Sequence, residues 1–84
     1  MYKDYSYLLV VKGNNIKCDE INSILNQYKL PFKLRMRNTT KLYSELTYEI
    51  TLKKVNADNL TEHFYTLENI SEVHIISYNG EGNI

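Results

Sequence analysis

Eighty-four residues, 43% hydrophobic and 24% charged with three Gly and one Pro, suffice for one small core and not for two, and they exclude disordered, collagen-like and low-complexity classes. Ten Lys and Arg offset ten Asp and Glu, so the summed field that draws a whole chain to nucleic acid is missing and no nucleic-acid partner is expected. A single cysteine, Cys18, cannot close an internal disulfide, no charged-then-apolar leader follows Met1, and the longest apolar stretch, Tyr7 to Val11, is far below the roughly 20 residues of a membrane span. A soluble domain in a reducing cytosolic setting is the expectation.

In chain order, residues 5 to 12 are apolar on both parities, as in a central strand covered on one face and shielded on the other. Lys12-Gly13-Asn14-Asn15 follows as a turn. Ile21, Ile24, Leu25 and Tyr28 then recur at helical spacing, which predicts an amphipathic helix over 18 to 28 with Asp19 and Glu20 at its dipole-favoured start. Pro31 ends anything helical. From 32 to 37 parity is strict: Phe32, Leu34 and Met36 on the inner face, Lys33, Arg35 and Arg37 on the outer. A polar connection over 38 to 44 leads to a second strict strand, 45 to 53, with Leu46, Tyr48, Ile50 and Leu52 inward. Asn56 stands as a helix cap ahead of Leu60, His63, Phe64 and Leu67. The last element is a strand from Val73 to Tyr78, closed by Asn79-Gly80.

The order β-α-β-β-α-β in one α+β domain over residues 1–84 predicts a ferredoxin-like, split βαβ arrangement: a four-stranded antiparallel sheet in the order 4-1-3-2 with both helices on one face. That order puts the doubly apolar first strand in the middle and makes the second and fourth strands the edges.

Each chemistry this fold often hosts needs particular residues. A soft-metal carrier needs two close thiolates in the first loop, where Cys18 stands alone, and His63 and His74 have no second ligand at metal-binding spacing. An acyl phosphate hydrolase needs a phosphate cradle with an arginine after the first strand; here the arginines are Arg35 and Arg37, on the second strand. Base stacking on the open sheet face needs aromatics, whereas the outward positions of the third strand are Thr47, Glu49 and Thr51. No catalytic residue, metal ligand or cofactor is assigned, and a non-enzymatic role is expected. Most of the eight tyrosines, Tyr28 and Tyr48 among them, are read as core residues.

Charge is balanced in total but not in place. Residues 29 to 44 carry Lys29, Lys33, Arg35, Arg37 and Lys41 with no acid, and residues 55 to 84 carry five acids with no Lys or Arg. Lys33, Arg35 and Arg37 therefore form a candidate interaction edge. A guarded, solvated edge accounts for the same residues. Self-association through the edge is expected to run basic to acidic and head-to-tail, because pairing two copies of the second strand opposes like charges.

Arg37-Asn38-Thr39-Thr40 and, after a short gap, Glu45 through Lys53 resemble the soluble carboxy-terminal domain of a bacterial multi-pass membrane family of unknown function. That domain is similar to the ACT-like domain ending MgtC/SapB-type proteins. The resemblance implies that residues 1–84 are excised from a longer protein and lie on the cytoplasmic side of the bacterial inner membrane. The role it implies is regulatory or protein-interacting, with a partner protein, a second copy or the anionic membrane surface as contact. It also implies a ligand position at the first strand-to-helix loop, Lys12, Gly13, Asn14 and Asn15. A polar turn explains those four residues too, and a freestanding ACT-like module that binds a small molecule stays open as the alternative.

Overall fold

The computed structural model describes residues 5–52 and 57–77. Six elements follow one another: β1 (Tyr5–Gly13), α1 (Cys18–Gln27), β2 (Phe32–Thr39), β3 (Ser44–Leu52), α2 (Ala57–Phe64) and β4 (Ile70–Ser77). All strand pairs are antiparallel, in the order β2-β3-β1-β4, which is the expected 4-1-3-2 read from the other edge. The α+β, ferredoxin-like βαββαβ architecture is present.

One face of the sheet makes the core. Leu9 and Val11 of β1 and Leu46, Tyr48, Ile50 and Leu52 of β3 are buried together with Ile21, Ile24 and Leu25 of α1 and Leu60 and Phe64 of α2. Ile21, Ile24 and Leu25 stand at i, i+3, i+4 and Leu60 and Phe64 at i, i+4, so each helix lays one stripe on the sheet. The alternate residues of the central strands, such as Leu8, Val10, Thr47 and Glu49, are half-buried on the helix-free face. No helix among the described residues is long and apolar enough to cross a membrane.

Helix α1 begins at Lys17, which supplies no side-chain cap, with Asp19 and Glu20 in its first turn. It ends where Lys29 turns left-handed at φ 57°, the amide of Leu30 bonding to the carbonyl of Leu25 (3.1 Å) and that of Lys29 to Asn26 (3.0 Å). This is a Schellman motif with lysine where glycine is usual. The Asn56 cap, Lys53, Tyr78 and the Asn79-Gly80 turn lie outside the described residues.

The second strand departs from its predicted parity. A register shift between Leu34 and Met36 makes Arg35 a bulge residue. Phe32 and Leu34 face Ile50 and Tyr48 on the helix side as expected, but beyond the bulge Met36 stands opposite Thr47 and Arg37 opposite Leu46. Met36 is thus on the open face, 60% exposed, and Arg37 is on the helix side. The cause is a count. Between the pairs Leu34↔Tyr48 and Thr39↔Ser44 lie four residues of β2 and three of β3, so one residue has to be extruded.

Candidate functional site

The predicted interaction edge splits across two faces. Lys33 lies opposite Glu49 and Arg35 donates to the same carboxylate, Nη1 to Oε1 at 3.1 Å. The guanidinium is exposed and the half-buried carboxylate still reaches solvent, so the pair steers and aligns more than it stabilises. With Pro31, Phe32 and Thr51 these residues border a shallow cleft of about 300 Å³ at the corner of the sheet. Seven of the eight residues of β2 are exposed, Leu34 at 37%.

Arg37 is drawn to the opposite side, where its Nη2 donates to the Sγ of Cys18 at 3.3 Å. Ile16, Thr39, Ser44 and Leu46 complete this cleft of about 220 Å³. Deeper in the same region the hydroxyl of buried Tyr48 donates to Asn22 Oδ1 at 2.8 Å. Burial, and then a hydrogen bond with Cys18, push the Tyr48 phenol well above its ordinary range. Apart from Arg37 at Cys18, a comparable side-chain pair is made by the imidazole of His63, whose Nδ1 lies 3.0 Å from the hydroxyl of Tyr28.

The loop predicted to bind a ligand is divided in another way. Lys12 sits in β1 opposite Glu45 and Glu72, its Nζ 4.3 Å from the centre of the Tyr43 ring, away from the turn. Gly13 is buried, and a Cβ there would run into the carbonyl oxygen of Asn69. The close approach it permits is to the α2–β4 connection. Asn14 donates its amide to Asn69 O (2.8 Å), Asn69 Nδ2 donates to Asn15 O (3.2 Å), and Asn15 takes φ 56°. Asn14 and Asn15 then border a polar cleft of about 380 Å³ with Lys17, Glu20, Glu68 and Asn69. One ammonium, two carboxylates and three amides can meet the two charges of a small zwitterion.

Sequence reasoning missed Lys17, Glu20, Glu68 and Asn69, because they reach the cleft from the start of α1 and from the α2–β4 connection, more than forty residues apart. It also missed Cys18 as the partner of Arg37, since nothing local announces a bulge. Among the described residues no three His, Cys, Asp or Glu side chains cluster in a way that would hold a metal ion.

A scan against protein-family models finds no match. No curated protein matches the chain either.

Proposed function

We propose that this chain is a non-catalytic regulatory or protein-interaction domain serving a bacterial membrane protein from its cytoplasmic side. The observation that carries the reading is the edge strand β2: eight residues long, almost wholly exposed, basic at Lys33 and Arg35, and apolar at Leu34 and Met36. Edge strands that serve no contact are commonly shortened, covered, or guarded by charges and bulges; β2 has such guards in Lys33, Arg35 and its bulge, yet keeps Leu34 and Met36 exposed beside them. The membrane context rests on the likeness of the hairpin, residues 37 to 40 and 45 to 53, to the carboxy-terminal domains described above. The basic strand then faces a partner protein or the anionic inner leaflet, where each Lys or Arg contributes about 1 kcal/mol.

Site-specific photo-cross-linking in bacterial cells tests this, with the reactive residue at Met36 in one variant and at exposed Glu62 of α2 in another. The reading requires adducts to one defined protein or to lipid at position 36 and not at 62. Equal labelling at both positions overturns it.

The cleft of Asn14, Asn15, Lys17, Glu20, Glu68 and Asn69 favours a second reading, a freestanding ACT-like module for a small zwitterion. A thermal-shift screen with free amino acids decides it: a saturable rise in Tm, lost in Lys17→Met, supports the module, and flat curves count against it.

A further inference from the structure

The two edges of the sheet differ in one respect that decides what can add to them. The ladder between β2 and β3 is anchored by Thr51 N–H to Pro31 O (3.1 Å) at one end and Thr40 N–H to Tyr43 O (2.8 Å) at the other. Residues facing across an antiparallel pair alternate between exchanging hydrogen bonds with each other and directing them away. Counting along β3 from either anchor gives the same phase, in which Phe32, Leu34, Arg37 and Thr39 direct their amides and carbonyls away from β3. Among the described residues no hydrogen bond meets the amides of Phe32, Leu34, Arg37 or Thr39 from the outer side. The same alternation on β4 turns Val73 outward, and there Tyr65 intervenes: the amide of Val73 donates to the Tyr65 hydroxyl at 2.9 Å. One edge carries a plug and the other is open.

We infer that β2 is a docking strand for an acidic extended peptide, which adds to the sheet by backbone pairing with Phe32, Leu34, Arg37 and Thr39. This rests on the proposed interaction role and names the class of partner. Alternate side chains of the added strand fall on the open face beside Lys33 and Arg35, where carboxylates are favoured, and on the helix side beside Phe32 and Leu34, where apolar groups are. From Lys29 to Ser44 the chain has five cations and no acid, so the charge of the partner is dictated by complementarity. A second copy fits worse in both registers. Two β2 strands oppose their cations, and a β4 strand brings an edge already engaged by Tyr65.

The test uses the whole chain and three ten-residue probes in which Val alternates with Glu, Ser or Lys, titrated by isothermal calorimetry and followed by amide hydrogen exchange. The Glu probe is expected to bind most tightly, to weaken with salt, and to slow exchange at Leu34 and Arg37. Leu34→Pro removes an outward amide and leaves the β3 ladder intact, so the variant folds and binds about tenfold more weakly, the equivalent of one net hydrogen bond. Lys33→Gln/Arg35→Gln, with Leu34 retained, weakens the Glu probe by a similar factor and leaves the Ser probe unchanged. Binding that falls in the charge variant but not in Leu34→Pro overturns strand addition and leaves the interaction role standing. Three probes of equal affinity, or none that binds while position 36 still cross-links in cells, overturn the acidic-peptide class alone. Vesicles of phosphatidylglycerol that bind in place of the Glu probe overturn it in favour of a lipid surface. Failure of both probes and cross-linking removes the broader reading as well.

Discussion

Arg37 donates a hydrogen bond to the thiol of Cys18 across the helix side of the sheet, although strict alternation from Phe32 puts it on the other face. The contact exists because Arg35 is extruded from the ladder, and the same extrusion carries Met36 out to solvent. An arginine on the core side of a strand is tolerable here because β2 is an edge, where the guanidinium stays hydrated while its stem covers apolar surface.

This exchange of faces is directly measurable. Arg37→Cys is expected to cross-link to Cys18 with a short thiol-reactive bis-electrophile, and Met36→Cys is not. Mass spectrometry of the tryptic digest reads the result, and cross-linking from position 36 in place of 37 would mean that the ladder runs without the bulge.

Gly13→Ala should destabilise the domain by about 1–3 kcal/mol, because the added methyl meets backbone, Asn69 O and Ile70 Cα, and not a movable side chain. A domain of this size has on the order of 4–13 kcal/mol in total. Urea denaturation gives the difference, and a change under about 0.5 kcal/mol would place the two connections further apart than described.

Lys29→Gly is expected to act in the opposite direction. The left-handed backbone at φ 57° carries a Cβ that glycine lacks, and the Schellman hydrogen bonds are retained. A gain of about 0.5–1 kcal/mol should be visible as a higher Tm.

Tyr48 makes stability depend on pH at the alkaline end. Its folded-state pKa lies above the ordinary value of 10, with burial the main cause. The contribution is therefore complete below pH 10, where the unfolded chain also keeps the proton, and declines as pH rises above it. The slope approaches about 1.4 kcal/mol per pH unit for one group. Tyr48→Phe should lose about 1 kcal/mol at pH 7 with the hydrogen bond to Asn22, and should show a shallower alkaline decline than the parent chain. Parallel pH curves for the two proteins would refute the assignment.

Tyr65→Phe frees the amide of Val73 and with it a stretch of the β4 edge. Sedimentation velocity is expected to show mass rising with concentration in this variant and not in the parent. Adding Leu34→Pro should reverse the effect, since the pairing then available joins the acidic β4 edge to the basic β2 edge of another copy.

The order of elements and the core were legible in the sequence because burial imposes a period that composition cannot hide. Ile21, Ile24 and Leu25 repeat every three to four residues, and Leu46, Tyr48, Ile50 and Leu52 every two. Once both periods were assigned, chirality and the doubly apolar first strand determined the strand order. The edge and the cleft were legible only as inventories of charge and amide. Lys12 was grouped with Asn14 and Asn15 by adjacency, yet a strand turns it toward Tyr43, and the cleft is completed by Glu68 and Asn69 from a distant connection.

Parity, then, belonged to the chain by itself, for every strand pinned between two covered neighbours. Tertiary structure alone decided the face of Met36 and Arg37, the meeting of Gly13 with Asn69, and the plug of Tyr65 on Val73. The physical reason is common to all three. An apolar period reports only that a side chain is buried, whereas these contacts depend on how many residues two paired segments must fit between shared end points, and no single segment carries that count.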